Sequence, residues 1–166
     1  MERVLVVGAG GTGKSTFARA LGTRTGLPVI HLDHHYWRPG WDPTPDHEWI
    51  GRVREIVAGD RWIVDGNYGG TLELRAAACD TIIFLDLPIL VSFVGIVRRR
   101  LKRGGSEQAP GCPERLDREF VHWVATYRRR ARPQVLALAA GPHSFEFVRL
   151  RSRRAVREYL DRHRTE

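Results

Sequence analysis

Cysteine is scarce in this chain: Cys79 and Cys112 are the only two among 166 residues. Two thiols make no disulfide framework, and without help from histidine they cannot fill a four-ligand zinc site. Two free thiols are therefore expected. Long apolar runs are also missing. A membrane-spanning helix needs about 20 apolar residues, and the longest candidate, Thr81 to Val97, is interrupted by Asp86 and Pro88. Met1-Glu2-Arg3 leads at once into a short apolar run and a glycine loop, which is unlike a secretory leader. These features predict a cytoplasmic protein with no membrane attachment. No internal repeat and no domain-separating linker is found, so a single domain over residues 1–166 is expected.

Charge is plentiful but unevenly placed. The net charge is +8. Met1 to Ile83 carries 9 basic and 10 acidic residues, and Phe84 to Glu166 carries 18 and 9. The excess in the second half faces either nucleic acid or the phosphates of a small ligand. Of the 27 basic residues 25 are arginine, which a base-composition bias in the coding DNA explains equally well.

Strand and helix patterns alternate along the chain. Arg3 to Val7 is a β-branched run that ends in glycines, the mark of a buried parallel strand. Lys14 to Thr25 follows with helical spacing and stops at Gly26 and Pro28. Val29 to Asp33 reads as a second strand and His34 to Pro45 as a loop. Asp46 is a candidate N-cap for a helix to Ala58. Arg61 to Asp65 is a third strand, Thr71 to Ala78 a short helix, and Thr81 to Leu87 a fourth strand. Pro88 suits the first turn of a helix ending in Arg98-Arg99-Arg100. Gly104 to Pro113 has the composition of a flexible stretch. Glu114 to Ala140 is helical, bent or broken near Pro133. Ser144 to Leu150 is a fifth strand, and Ser152 caps a last helix. The alternation predicts an α/β fold with a parallel sheet covered on both faces.

One motif carries specific chemistry. Gly8-Ala9-Gly10-Gly11-Thr12-Gly13-Lys14-Ser15 matches G-x-x-x-x-G-K-[ST] in full. Glycines at 8, 10, 11 and 13 let the backbone turn so that N–H groups, that of Thr12 included, converge on phosphate oxygens. The helix that opens with Lys14, Ser15 and Thr16 points its positive end at the same place. Lys14 reaches the β- and γ-phosphates of ATP, and the Ser15 hydroxyl ligates Mg²⁺. The alternative, a chance glycine-rich turn, is opposed by the strand before the loop and the helix after it.

Two acids end predicted strands and so open toward the phosphate loop. Asp65 follows Trp62-Ile63-Val64, a Walker B-like pattern, and is the candidate for holding Mg²⁺ through water. Asp33 is the candidate for contact with the acceptor, positioning an attacking hydroxyl or taking its proton. Either acid could instead cap a helix or tighten a turn. Asp86 also ends a strand, but Pro88 follows so closely that a capping role is expected. Trp37, Trp41 and Tyr68 lie at the same sheet edge as rings to stack on an acceptor, and the two tryptophans could instead plug the gap between loop and core. Asn67 is placed to hydrogen-bond a polar acceptor group. His31, Asp33, His34 and His35 cannot all converge on a metal, because neighbouring strand residues point to opposite faces.

Taken in order, these stretches resemble a known group. The glycine loop, Leu32-Asp33, Ile63-Val64-Asp65-Gly66, Thr81 to Pro88 and the arginine-rich helix follow the motif order of adenylate-kinase-like small P-loop kinases. Within that group the chain is similar to the DNA topology modulation, or FlaR-like, proteins. His31-Leu32-Asp33, Trp37 to Trp41, Trp62 to Tyr68, Asp80 to Pro88, Gly111 to Asp117 and Leu150 to Arg153 carry that likeness. The resemblance implies a P-loop NTPase fold with a five-stranded sheet in the order 2-3-1-4-5. It also implies a mobile lid over about residues 98–116, with arginines that clamp the transferring phosphoryl group. Candidates are Arg98, Arg99, Arg100, Arg103 and Arg115, with Arg100 and Arg115 foremost. Arg151 and Arg153 would lie near the adenine base. True adenylate kinases follow Asp-Gly with Phe-Pro-Arg, whereas this chain has Asn67-Tyr68-Gly69, which counts against AMP as acceptor. The lid holds only Cys112, which excludes a four-cysteine zinc lid.

The leading expectation is thus a kinase that uses ATP and Mg²⁺ to phosphorylate a small molecule, a nucleotide or nucleoside among the candidates. The alternative is a nucleotide-dependent regulatory or nucleic-acid-binding protein with weak ATPase activity. No recognised nucleic-acid module supports the alternative, and oligomeric state is not legible.

Overall fold

The fold is that of a computed structural model describing residues 1–101, 109–113 and 118–163, with Arg100 and residues 118–121 described by backbone alone. Five strands form one parallel sheet: β1 (Arg3–Gly8), β2 (Val29–His31), β5 (Trp62–Asp65), β6 (Thr81–Leu85) and β7 (Glu146–Leu150). Their spatial order is β2-β5-β1-β6-β7. Two further strands, β3 (Trp37–Arg38) and β4 (Asp42–Pro43), pair only with each other as a small antiparallel hairpin. With that hairpin set aside, the order is the expected 2-3-1-4-5.

Each side chain of Val4 to Val7 is fully buried, and the two-residue period sends alternate ones to opposite faces. Val4 and Val6 pack with Phe17, Ala18 and Leu21 of α1 (Lys14–Thr25) and with Val156 and Tyr159 of α7 (Arg153–Arg162). Leu5 and Val7 pack on the other face with Trp49 and Val53 of α3 (Asp46–Val57), Leu72 and Ala76 of α4 (Leu72–Ala78), and Tyr127 and Val135 of α6 (Arg118–Ala140). Two cores therefore sandwich the sheet. Each fully buried aliphatic side chain contributes about 1.5–3 kcal/mol.

β1 pairs with β5 on one side and β6 on the other, so successive connections depart in opposite directions from its carboxyl end. Such a switch point leaves a crevice for ligands. The glycine loop emerges there and runs into α1.

Several boundaries differ from expectation. β2 stops at His31, and Asp33 opens a four-residue helix, α2 (Asp33–Tyr36), instead of ending a strand. The buried Leu32 turns the chain: its N–H still bonds to the Asp65 carbonyl at 2.9 Å, while its own carbonyl accepts from His35 and Tyr36. Pro45, not Asp46, is the N-cap residue of α3, and Asp46 stands in the first turn. Helix α6 runs through Pro133 without a break, since Tyr127 and Val135 anchor it to the sheet on both sides of the proline. Ser152 caps α7 as expected, accepting from Ala155 N–H at 3.1 Å. Helix α5 (Ile89–Leu101) follows Pro88. Among the described residues no helix is long and apolar enough to cross a membrane.

Candidate active site

The phosphate loop closes on its own carbonyl. Ala9 C=O accepts from the Thr12 hydroxyl at 2.7 Å, from Thr12 N–H at 3.4 Å and from Lys14 Nζ at 3.1 Å. Gly11 and Gly13 take left-handed φ values of 76° and 91°, a conformation that costs glycine little. Gly13 is the N-cap residue of α1 and no side chain caps the helix there, so the first-turn amides open at the loop. Gly8 and Gly10 are buried, Ser15 is half-buried, and Thr16 is exposed.

The electrostatic surroundings of Lys14 identify its neighbours. Burial is the largest influence and holds its pKa below the ordinary lysine value. The charges of Asp65 and Asp33 act the other way, and the charge of Arg99 adds to the lowering. The charges of Asp65, of Asp33 at the start of α2 and of one arginine of α5 therefore all reach the loop lysine. Of the foremost lid candidates, Arg115 lies outside the described residues, as do Arg103 and the side chain of Arg100; Arg98 is exposed.

Asp65 is buried, and its Oδ2 meets His31 Nδ1 at 3.0 Å. A carboxylate oxygen accepts, so the contact is a hydrogen bond in the imidazole tautomer that carries its proton on Nδ1. The second oxygen, Oδ1, is buried with no hydrogen-bond partner among the described residues. A buried carboxylate oxygen is costly unless something satisfies it. Among the described residues no group of three or more His, Cys, Asp or Glu side chains is arranged to hold a metal. A cation here would take most of its shell from phosphate and water oxygens, as Mg²⁺ does. Asp65 Oδ1 and the Ser15 hydroxyl fit such a cation.

The acceptor side departs from expectation in two residues. Asn67 is committed to the loop: its Oδ1 accepts from Gly8 N–H at 3.1 Å and its Nδ2 donates to the Gly8 carbonyl at 2.6 Å. It is thus unavailable to an acceptor. Tyr68 packs its ring against both Tyr36 and Trp49, at centroid distances of 4.7 and 4.9 Å, so it plugs the core instead of stacking on a ligand. Its hydroxyl donates to Asp33 Oδ1 at 2.6 Å. Burial, then the Asp33 charge, push the phenol pKa far above its usual value, so it stays a donor. Asp33 is half-buried with one oxygen fixed in this way. Trp37 is half-buried, edge-on to Tyr36 at 4.9 Å and to Trp41 at 5.3 Å.

Arg153 stands beside the loop: a Cβ built on Gly13 would lie 3.1 Å from its Nη1. Arg151 is exposed. Asp86 is not a cap. It accepts from Arg132 Nε and Nη2 at 2.9 and 3.1 Å, and from Arg149 Nε and Nη2 at 2.9 and 2.6 Å. Burial raises its pKa, but these hydrogen bonds outweigh it and hold the carboxyl below its ordinary range.

Two features escaped the sequence reading. Arg75 is fully buried in α4 and donates to the carbonyls of Thr71, Gly66, Asn67 and Tyr68. It fixes the turn that carries Asn67 and Tyr68, whose backbone holds a strained φ of 28°. The available signal was its place on one helical face with Leu72 and Ala76. The other is α5, which lies against the loop: a Cβ on Gly11 would overlap Ser92 and Ile96.

No family model matches the chain. It is 25% identical over 131 residues to the uncharacterized protein YqaC of Bacillus subtilis (strain 168), spanning 76% of this chain and 72% of that protein. Among solved structures it is similar to the shikimate kinase of Acinetobacter baumannii in complex with shikimate, with a TM-score of 0.65 and 12% identity, covering 98% of this chain and 90% of that one. It is likewise similar to a sugar kinase from Janibacter sp. HTCC2649, with a TM-score of 0.55 and 17% identity, covering 100% and 99%. The architecture built around this loop is therefore the P-loop kinase fold.

Proposed function

We propose that the protein transfers the γ-phosphoryl group of ATP, taken as its magnesium complex, to an oxygen of a small acceptor such as a nucleotide, a nucleoside or another hydroxylated compound. One arrangement carries this reading: Lys14 Nζ closes on the Ala9 carbonyl of a glycine loop at the head of α1, within reach of the charges of Asp33, Asp65 and Arg99. The P-loop kinase fold supports it, and two solved relatives are by name kinases of small molecules, shikimate and a sugar.

The roles follow from charge and position. The loop amides and Lys14 hold the phosphates, and Lys14 exchanges its bond to Ala9 O for phosphate oxygens. Asp65 and Ser15 hold Mg²⁺, which neutralises phosphate charge when bound. Asp33 accepts the hydrogen bond of the acceptor hydroxyl on the oxygen that Tyr68 leaves open. That hydroxyl oxygen attacks the γ-phosphorus, the bond from phosphorus to the β–γ bridging oxygen breaks, and ADP leaves. The hydroxyl proton passes to Asp33 and then to solvent. Arg99 stabilises charge on the group in flight, and Arg153 assists at the loop's far end. We place this activity in the cytoplasm.

A second reading, nucleotide-gated binding of nucleic acid, is favoured by one observation: Arg128, Arg129 and Arg130 are consecutive and exposed on α6. A single experiment separates the two. The protein is incubated with labelled ATP and Mg²⁺ against a panel of nucleotides, nucleosides and small alcohols, with Lys14→Ala as control. Product that requires both ATP and acceptor and vanishes in the control supports the kinase. No product in any lane, together with DNA affinity that falls steeply with salt, supports the second reading.

A further inference from the structure

Backbone pairing brings His31 and Asp65 together beside the phosphate loop. β2 and β5 run parallel with His31 opposite Asp65. Residues opposite one another on neighbouring strands send their side chains to the same face. Leu32 N–H donates to the Asp65 carbonyl at 2.9 Å, so this register holds to the end of β2. On the other side β1 places Val6 opposite Asp65, and Asn67 bonds twice to Gly8, where the loop opens.

Within this frame the two oxygens of Asp65 are unlike each other. Oδ2 meets His31 Nδ1 at 3.0 Å, and His31 is the one hydrogen-bond partner of this carboxylate among the described residues. The imidazole is itself enclosed: its side chain is 16% exposed, and the His34 ring lies beside it with centroids 5.3 Å apart. Oδ1 is buried and unpartnered among the described residues. Asp86 makes the contrast. Its side chain is as buried as that of Asp65, 6% exposed against 5%, yet arginines satisfy both of its oxygens. A carboxylate built only to hold the fold together looks like Asp86, because buried polar atoms are normally paired. The last torsion of an aspartate is broad and two-fold, so an unheld carboxylate exchanges its oxygens. A donor on one oxygen ends the exchange and aims the other.

We propose that His31 is a positioning residue for the divalent cation that accompanies the nucleotide: its Nδ1–H holds Asp65 Oδ2 and so presents Oδ1 to that cation. This rests on the nucleotide site argued above. In this role His31 touches neither nucleotide nor cation. Its effect falls on metal binding, and reaches the nucleotide only through the metal. Outer partners of metal-binding groups are worth about 10–100-fold in metal affinity.

The test is calorimetric uptake of a non-hydrolysable ATP analogue by the full chain, in excess Mg²⁺ and again in chelator. Wild type is expected to bind the analogue more tightly with Mg²⁺. In His31→Ala that gain shrinks by about tenfold, the lower end of what outer partners contribute, or vanishes where it was smaller, while affinity in chelator is unchanged. His31→Asn, whose amide N–H stands where Nδ1–H stood, keeps more of the gain than His31→Ala. Should His31→Ala fold poorly, His31→Phe removes the donor and keeps a ring in its place. A gain unchanged in the variants without a donor overturns the role of His31. An equal loss with and without Mg²⁺ marks a merely structural pair and overturns it too, as does His31→Asn faring no better than His31→Ala. Wild type that binds the analogue equally in Mg²⁺ and in chelator overturns the proposal and leaves the phosphate-loop reading intact. Wild type that takes up no analogue overturns both readings together.

Discussion

Gly95 of α5 lies flat against Gly11 of the phosphate loop, so close that a Cβ on Gly95 would overlap the Gly11 carbonyl oxygen. Two glycines facing each other let a helix rest on a loop backbone with no side chain between them. Gly95→Ala must therefore push α5 off the loop or distort the loop. Overpacking of this kind costs about 1–3 kcal/mol. The expected outcome is a lower melting temperature and at least a tenfold weaker ATP affinity, read by thermal unfolding and calorimetry.

Lys14 opposes the fold's stability while supplying its chemistry. Burial pulls its pKa down, so the folded state holds the proton less firmly than the unfolded chain. The sign follows: stability rises with pH as it passes from the folded pKa toward the unfolded value near 10.4. Lys14→Met removes this half-buried charge. Its melting temperature at pH 7 is expected to equal or exceed wild type, while ATP-dependent phosphorylation disappears. A clear fall in melting temperature would contradict this account.

The Asp86 carboxylate ties α6 and β7 to the end of β6 through Arg132 and Arg149. Both arginines are partly exposed, so the loss in Asp86→Asn is about 2 kcal/mol, between the exposed and the buried limits for ion pairs. The folded pKa is depressed, so this stabilisation is fully present above the unfolded carboxyl value near 3.9 and is lost as pH falls through the folded pKa. Urea unfolding of wild type and variant should differ at pH 7 and converge at strongly acid pH.

Arg75 satisfies four carbonyls with one planar fork, a task beyond a lysine ammonium. Arg75→Lys leaves buried carbonyls unpaired and should cost about 2–4 kcal/mol. Because the same turn carries Asn67, which grips Gly8, nucleotide affinity should fall as well. Denaturant unfolding and calorimetry test the two effects separately.

What was legible in the sequence was local. The glycine loop, the helix Lys14–Thr25, the Ser152 cap and the alternation of elements depend on neighbours a few residues apart. Strand order came through resemblance, and the sheet agrees with it. What was misread depends on partners distant in the chain. Asn67 reads as an exposed polar residue until Gly8 is brought beside it, and Tyr68 reads as a free ring until Tyr36 and Trp49 close around it. Asp33 reads as a strand end because Leu32, whose burial turns the chain, looks like one more strand residue. Asp86 reads as a cap because its arginines lie on two later elements.

Helix α1 begins at Lys14 behind its N-cap Gly13, and no side chain among the described residues caps its first turn. Its opening amides suit an anion, and phosphates held by the loop would serve as that cap. The same helix drives Phe17, Ala18 and Leu21 into the core beneath β1. Whatever seats at its head thus splints half the hydrophobic interior, and a ligand bound there raises the resistance of the whole fold to heat.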